Sequence, residues 1–138
     1  MKDVFCMIIA GEIPSAKVYE DDEVLAFLDI SQATKGHTLV VPKEHYESFL
    51  ECPTALMNKV MNVAQRIGEA QKVALGASGV NVLTNVGESA GQTVKHFHVH
   101  VMPRFDDYKD GLEIIMKEQD DAKKDLAGLA QKISKEIK

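Results

Sequence analysis

The sequence predicts an α+β fold, in which short and mostly antiparallel strands pack against one long helix. Short apolar runs are separated by polar turns, one continuous stretch has helical periodicity, and near residue 100 three histidines alternate with bulky apolar residues. Strands and helices do not alternate along the chain as a parallel βαβ sheet requires. The length of 138 residues fits a single domain that spans residues 1–138.

The predicted strands are short and are bounded by turn residues. Residues 17–20 and 23–29 form two of them, joined at Asp21 and Asp22, a polar pair that suits a hairpin turn. The remaining predicted strands cover residues 37–42, residues 79–84 and the histidine run that starts at His96.

One long helix is predicted between the third and fourth strands. Pro53 suits its first position, and Gly76 provides a stop. Between them, apolar residues recur at three- and four-residue spacing: Leu56, Val60, Val63, Ile67, Ala70 and Ala74. A shorter helix is predicted at residues 4–10, and a helix at residues 120–137 has one apolar stripe formed by Leu126, Leu129, Ile133 and Ile137.

The alternating histidines divide their strand into two chemically different faces. Side chains on a strand point alternately to opposite sides, so His96, His98 and His100 share one face. The other face is apolar and suits packing; it carries Phe97, Val99 and Val101. Three imidazoles are costly to bury unless each ring nitrogen has a partner, so this face is predicted to be functional.

Charge and cysteine content exclude several classes of function. The net charge of −5 argues against a broad nucleic-acid-binding surface, which needs clustered Lys and Arg. No apolar run approaches the roughly 20 residues of a membrane span, so no membrane partner is expected. Cys6 and Cys52 cannot form a disulfide framework, which favours a reducing compartment and a cytoplasmic location.

Several motifs accompany the histidine strand. Gln92-Thr93-Val94 precedes the histidines and Pro103-Arg104 follows them, and upstream stand GEIPSA at 11–16, AFLDI at 26–30 and GHTLVVPKEH at 36–45. Together these motifs resemble the histidine triad (HIT) family of nucleotide hydrolases and transferases over about residues 5–104, and most of all its small, single-domain Hint branch. Residues 105–138 are a variable C-terminal segment beyond the resemblance. The resemblance implies a HIT-like fold: a five-stranded antiparallel sheet with one long helix and shorter helices, extended across a homodimer.

The resemblance also implies a reaction. Imidazole, with a pKa of about 6.5, is mostly neutral at cellular pH and remains nucleophilic. The middle histidine, His98, is the implied nucleophile. It would attack the α-phosphate of a purine nucleotide conjugate, a nucleoside phosphoramidate or a mixed anhydride, and water would then release AMP or GMP from the nucleotidyl-histidine. The backbone carbonyl of His100 is implied to accept a hydrogen bond from the second nitrogen of His98.

Further residues take roles through the same resemblance. His100, His37 and Gln92 are the implied catalytic companions of His98, and Asp29 is the implied ligand of the ribose hydroxyls. The implied nucleotide-binding set is Phe5, Ile8, Phe27, Asp29, Ile30, Leu39, Asn85, Gly91, Gln92, Thr93, His98 and His100. Without the resemblance, Asp29 could be a turn residue and the apolar members could be core. Lys95 and Arg104 are expected to lie on solvated faces rather than on a phosphate.

A structural zinc site is a further implication, with one altered ligand. Many bacterial Hint-type proteins bind zinc through Cys-x-x-Cys and two histidines, and the matching positions here are Asp3, Cys6, His45 and His96. Zinc accepts carboxylate oxygen as well as thiolate and imidazole, so the four residues could form a tetrahedral site. A remnant without metal is the alternative, in which the histidines bond to polar neighbours.

Several rival functions remain open at this point. A diadenosine polyphosphate hydrolase is the nearest alternative, because the leaving group is not evident from the residues. A nucleotide-binding adaptor protein with vestigial chemistry is a rival of another class, although the intact His37, His98 and His100 argue against it. A metalloenzyme with all three alternating histidines on one ion is disfavoured, since same-face neighbours on a strand lie about 6.6 Å apart.

Overall fold

The computed structural model describes residues 2–138, and these residues form one five-stranded sheet in the order β1-β2-β3-β5-β4. Every neighbouring pair is antiparallel. This confirms the predicted α+β fold with an antiparallel sheet. The strands are β1 (Lys17–Glu20), β2 (Val24–Leu28), β3 (Thr38–Pro42), β4 (Gly79–Leu83) and β5 (Val99–Arg104).

Four α-helices and one short 3₁₀ helix, Glu88–Ala90, occur within residues 2–138. The α-helices are α1 (Val4–Ile9), α2 (Thr54–Leu75), α3 (Asp120–Lys123) and α4 (Leu126–Ser134). Helix α2 starts directly after Pro53 and ends at Gly76, whose φ of 73° is the left-handed conformation that glycine adopts without strain. None of the helices among the described residues is both long and apolar enough to cross a bilayer.

The sheet separates two apolar layers because each inner strand alternates its side chains. From β2, Val24 and Ala26 face α2, while Leu25 and Phe27 face α1. The first layer also contains the apolar residues of the histidine run, Phe97, Val99 and Val101. The histidines therefore lie on the α1 side of the sheet, which confirms the predicted division of faces.

The histidine strand begins later than predicted. His96 lies in a bend, and β5 starts only at Val99, after which it runs to Arg104. His100 is the only one of the three alternating histidines that pairs in the sheet, opposite Leu39 of β3 and Leu83 of β4. The carbonyl groups of residues before Val99 are consequently free to bond to side chains.

The buried stripe of α2 departs from the predicted one in its last turns. Val60, Val63 and Ile67 are buried as predicted, but Ala70 and Ala74 are exposed. The buried face follows Gly68 and Gln71 instead, because the helical repeat of 3.6 residues rotates the predicted spacing away from the sheet. The Gln71 side chain donates to the carbonyl oxygens of Gly36 and Val101, which ties the helix to the sheet.

The C-terminal segment corrects two predictions. The single helix expected at residues 120–137 is interrupted at Asp125, whose side chain accepts from the Gly128 N–H and begins α4. Arg104 lies away from the histidine cavity, as predicted, but it is only partly exposed: its guanidinium donates to Asp110 (2.9 Å), to Asn81 Oδ1 (2.7 Å) and to the Leu112 carbonyl (3.1 Å). This clamp fixes the start of the C-terminal segment against the edge strand β4.

Candidate active site

A cavity of about 370 Å³ opens on the α1 side of the sheet, beside the histidines. Its size is that of a small-molecule site, and its walls are mainly apolar. The apolar residues expected to bind the base line it as a group, together with Asp29, Thr93 and two of the histidines: Phe5, Ile8, Phe27, Asp29, Ile30, Leu39, Thr93, His98 and His100. Ile30 lies at the rim and is fully exposed, unlike the buried Phe5 and Phe27.

Asp29 stands at the end of β2 with one carboxylate oxygen occupied and one open. Its Oδ1 accepts from the Ser31 backbone N–H at 2.8 Å and from the Ser31 hydroxyl at 2.7 Å. Burial is the largest single effect and opposes ionisation of this carboxyl, but the two Ser31 donors and the nearby His37 and His100 together hold the pKa of Asp29 below its usual value. The cavity is thus provided with an oriented carboxylate that can accept from hydroxyl groups through Oδ2.

The tautomer of His98 follows from its hydrogen bond to the backbone. Its Nδ1 lies 2.7 Å from the His96 carbonyl oxygen, which can only accept, so Nδ1 carries the proton. Nε2 is therefore left with a free electron pair. The resemblance implied that the His100 carbonyl would accept this bond; the structure assigns it to His96, whose carbonyl precedes the first residue of β5.

His37 and His100 form a second ordered pair. The Ala33 N–H donates to His37 Nδ1 at 3.3 Å, which leaves the proton of a neutral His37 on Nε2. That Nε2 donates to His100 Nδ1 at 2.9 Å. His100 then carries its own proton on Nε2, as a donor available to a bound anion. His37 itself does not line the cavity; it lies behind His100 and fixes its tautomer.

Burial keeps these histidines neutral. It lowers the pKa of His98 and of His37 below the ordinary value. For His100, burial and the neighbouring His98 and His37 lower the pKa to about 4. At neutral pH the site thus holds uncharged imidazoles, one with a free electron pair and one with a free N–H.

Gln92, which the resemblance implied to be a catalytic companion of His98, does not line the histidine cavity. Its amide donates to the carbonyls of Glu47 (2.7 Å) and Val94 (3.0 Å), and its oxygen accepts from the Gly87 N–H at 2.9 Å. All these partners are backbone groups, and Gln92 is absent from the wall of the histidine cavity. In this structure the residue braces the turn that leads into the histidine strand.

Asn85 and Gly91 also lie outside the cavity wall. Asn85 Nδ2 donates weakly to the Gly91 carbonyl at 3.5 Å, and Gly91 has a φ of 94° that closes the turn after Glu88–Ala90. Gly91 therefore serves the turn. Within residues 85–95, only Thr93 and Val94 line the cavity.

Asp3, Cys6, His45 and His96 converge on one point beyond the first histidine. Cys6 Sγ lies 3.5 Å from Asp3 Oδ2, 3.8 Å from His45 Nδ1 and 3.6 Å from His96 Nδ1. Asp3 Oδ2 lies 2.8 Å from His45 Nδ1 and 3.2 Å from His96 Nδ1. Tetrahedral zinc with bonds of about 2.0–2.3 Å separates its ligand atoms by about 3.3–3.8 Å. The three Cys6 distances lie in this range, whereas the two Asp3–histidine distances are shorter, so Asp3 Oδ2 would move away from His45 to hold such an ion.

The surroundings of this cluster orient its ligand atoms. His96 Nε2 donates to the Pro42 carbonyl at 2.9 Å, which turns the other nitrogen, Nδ1, toward the cluster. Asp3 uses its second oxygen, Oδ1, to accept from the Cys6 N–H at 2.8 Å and so caps α1. One aspartate therefore serves both the helix and the cluster.

Several residues of the cavity wall were not predicted from the sequence: Val4, Ile13, Pro14, Ser15, Leu28, Ser31 and Val94. Ser31 orients Asp29, and the Asp-x-Ser spacing of such a turn is a recognisable signal. Ile13 contributes to the apolar wall, although it stands in a motif that carries the family resemblance.

Comparison with known proteins matches this geometry to a family. A family model described as the HIT domain matches residues 10–107. The Bacillus subtilis (strain 168) protein named "Protein hit" is 46% identical over 136 residues, which cover 97% of this chain and 93% of that protein. The Arabidopsis thaliana protein named adenylylsulfatase HINT3 is 41% identical over 101 residues, which cover 73% of this chain and 51% of that protein.

Solved structures agree with the sequence relatives. The crystal structure of a HIT family member from Bacillus subtilis superimposes with a TM-score of 0.91 at 44% identity, covering 100% of this chain and 99% of that one. A zinc-bound histidine triad family protein from Mycobacterium smegmatis superimposes with a TM-score of 0.75 at 38% identity, covering 96% of both chains. The fold, the ordered histidines and these matches together establish that the chain belongs to the HIT family.

Proposed function

We propose that this chain is a nucleotide hydrolase that cleaves at the α-phosphate of a purine nucleoside phosphoramidate or mixed anhydride, through a nucleotidyl-histidine intermediate on His98. The observation that carries the proposal is the 2.7 Å bond from His98 Nδ1 to the His96 carbonyl. It leaves Nε2 unprotonated at the wall of a cavity that suits a nucleoside. A nucleophile prepared in this way needs no separate base.

The reaction proceeds in two displacements. His98 Nε2 forms a bond to the α-phosphorus while the bond from phosphorus to the leaving nitrogen or oxygen breaks, and the electron pair departs with the leaving group. A leaving amine takes a proton from solvent at the open side of the cavity. Water then attacks the phosphorus, the bond to Nε2 breaks, and the nucleoside monophosphate leaves while the water proton passes to solvent.

The other residues bind and orient the nucleotide. His100 donates its Nε2–H to a phosphate oxygen, and His37 keeps that proton in place by donating to Nδ1. Asp29 Oδ2 accepts from the ribose hydroxyls, and the apolar wall that contains Phe5 and Phe27 encloses the base. Thr93, which also lines the cavity, offers a hydroxyl donor to the phosphate.

The charge of the cavity favours conjugates with a single phosphate over polyphosphates. Its wall contains no Lys or Arg within the described part of the chain, and Asp29 is its one ionisable carboxylate. A polyphosphate chain brings several negative charges that such a wall does not neutralise. We therefore rank diadenosine polyphosphates below phosphoramidates and mixed anhydrides. Adenylyl sulfate, a mixed anhydride of phosphate and sulfate, belongs to the favoured class, and the Arabidopsis relative is named adenylylsulfatase.

A substrate panel with His98→Asn tests the function. AMP phosphoramidates, an adenylyl mixed anhydride, diadenosine polyphosphates and nucleotide sugars are assayed side by side with the purified chain. We expect the first two classes to turn over fastest, and His98→Asn to lose several decades in kcat, of the order seen when a covalent nucleophile is removed, while it still binds AMP. Near-normal turnover by folded His98→Asn protein would refute the assignment. AMP binding without any turnover by the unaltered chain would favour the adaptor.

The proposal includes a structural zinc ion held by Asp3, Cys6, His45 and His96. Bound there, zinc would join the start of α1 to the bend before β5 and stabilise the fold. Elemental analysis should find about one zinc per chain. Asp3→Ala should lower both occupancy and Tm, and Asp3→Cys should tighten binding because thiolate is the stronger ligand. Cys52→Ser, at a buried free thiol, is the control. Metal-free protein whose Tm ignores added zinc would contradict the site.

A homodimer completes the proposal. The edge strand β4 has a free side, and Val82 on it is half exposed. Helix α4 also exposes apolar side chains, among them Leu126 and Ile133. Pairing of β4 between two copies would extend the sheet to ten strands. Sedimentation should give about twice the 15.2 kDa chain mass at micromolar concentration, and a fully active monomer would contradict the dimer.

A further inference from the structure

The loop between β2 and β3, residues 29–37, carries both Asp29 and His37, and the Gln32 side chain is bound inside it. Gln32 Nε2 donates to the Asp29 carbonyl at 2.6 Å and to the His37 carbonyl at 2.9 Å. Its Oε1 accepts from the Gly36 N–H at 2.8 Å. Both amide hydrogens and the amide oxygen thus connect the first residues of the loop to the last ones.

The backbone of Gln32 is held in an unfavourable conformation. Its φ is 45°, in the left-handed region that residues other than glycine, asparagine and aspartate rarely adopt. Such a conformation persists only when its surroundings enforce it, and it is common at functional sites. Here the three side-chain hydrogen bonds are the surroundings that enforce it.

The consequence appears one residue further on. Ala33 follows Gln32, and its N–H donates to His37 Nδ1 at 3.3 Å. This bond decides which nitrogen of His37 carries the proton, and through it which nitrogen of His100 faces the cavity. The conformation of Gln32 therefore sets the direction of the N–H that begins this ordered pair.

We propose that Gln32 is a positioning residue, which holds the 29–37 loop so that His37 presents Nε2–H to His100. The inference rests on the proposed function for its catalytic consequence, although the hydrogen bonds themselves do not. The loop has other supports, since the Asp29 N–H donates to the His37 carbonyl and the Gly111 N–H donates to the Ala33 carbonyl. Variants at position 32 should therefore fold.

Three substitutions separate the side-chain bonds from the backbone conformation. Gln32→Glu keeps an acceptor for the Gly36 N–H but places a carboxylate oxygen against the two carbonyls. Gln32→Ala removes all three bonds and keeps a Cβ that disfavours a positive φ, whereas Gln32→Gly removes both the bonds and the Cβ. Gln65→Glu, the same chemical change at an exposed position of α2, is the matched control.

The first readout needs no substrate. NMR of ¹⁵N-labelled imidazole should show His37 as the Nε2–H tautomer in the unaltered chain and in Gln65→Glu. In all three Gln32 variants the His37 signal should shift toward a mixture of tautomers. Unchanged His37 signals in folded Gln32→Glu and Gln32→Ala proteins would overturn the proposal, whatever the activity of the chain.

The second readout is a double-mutant cycle, in which the Gln32 variants are combined with His37→Asn and the hydrolysis of an AMP phosphoramidate is measured. Gln32→Glu and Gln32→Ala should lower kcat by about 10- to 100-fold, as expected for misplacement of a catalytic group, with a smaller change in KM. When His37 is already replaced by Asn, the same Gln32 substitutions should lower kcat by less than about twofold, because Gln32 acts through His37. Equal losses in both backgrounds would show that Gln32 does not act through His37. If the unaltered chain hydrolyses nothing, the proposed function fails, and the NMR result alone decides the role of Gln32.

Discussion

Replacing Asp29 with asparagine should weaken the binding of AMP and leave the binding of 2′,3′-dideoxy-AMP almost unchanged. The Ser31 backbone and hydroxyl donors occupy Asp29 Oδ1, so the carboxylate offers Oδ2 to the ribose. In the variant, the amide can keep its oxygen toward Ser31, but an NH₂ group replaces the charged acceptor. Dideoxy-AMP has no ribose hydroxyl to donate, so it should not sense this loss.

The magnitude follows from the kind of bond that is lost. A hydrogen bond to a charged group is worth about 1.5–3 kcal/mol, and about 1.4 kcal/mol corresponds to a tenfold change in Kd. The Kd for AMP should therefore rise by roughly 10- to 150-fold. Asp29 Oδ2 also lies 3.7 Å from His37 Nε2, so the substitution could act on the phosphate site. That effect is common to both nucleotides and cancels in the comparison.

Isothermal titration calorimetry of both nucleotides measures the difference directly. Asp22→Asn, which makes the same charge change at an exposed turn, should bind both nucleotides like the unaltered chain. Equal weakening of AMP and dideoxy-AMP by Asp29→Asn would refute ribose recognition by this carboxylate.

Three further predictions concern stability and pH. Arg104→Ala should lower the free energy of unfolding by about 2 kcal/mol, since it removes charged hydrogen bonds and releases residues 105–112, and urea unfolding with limited proteolysis checks both effects. Gly36→Ala should lower the free energy of unfolding by about 1 kcal/mol more than Gly87→Ala does. Both glycines have a positive φ, but only a Cβ at position 36 would meet other side chains, those of Leu75 at 2.5 Å and Pro103 at 3.2 Å. Equal losses of stability in the two variants would contradict this. Stability should fall as pH drops from about 6.5 to about 4, because burial keeps His100 neutral in the folded chain while the unfolded chain takes up a proton, and His100→Asn should flatten this dependence.

Periodicity predicted the faces of the sheet because local geometry alone decides them. Side chains alternate along any strand, so Phe97 and Val99 had to point away from His98, and the structure agrees. Strand positions were predicted to within one residue for β1 through β4 for the same reason. The start of β5 was not, because a bend at His96 depends on contacts with distant residues such as Pro42.

The features that the sequence did not reveal have a common physical cause. The directions of Gln92 and Arg104 depend on which partners the fold brings near, Glu47 in one case and Asp110 in the other, and sequence spacing contains no such information. The break before α4 likewise follows from one side-chain cap that competes with a continuous helix. The convergence of Asp3 with His96 was expected only through the family resemblance, because 93 residues separate them.

The stereochemistry at phosphorus tests the central claim, that His98 is a covalent nucleophile. A substrate with a chiral thiophosphate at the α position is hydrolysed in isotopically labelled water, and the configuration of the product is determined. Attack by His98 followed by attack by water inverts the phosphorus twice, so the account predicts retention. Direct attack by water would invert it once. An inverted product would contradict the nucleotidyl-histidine and assign His98 to general-base catalysis.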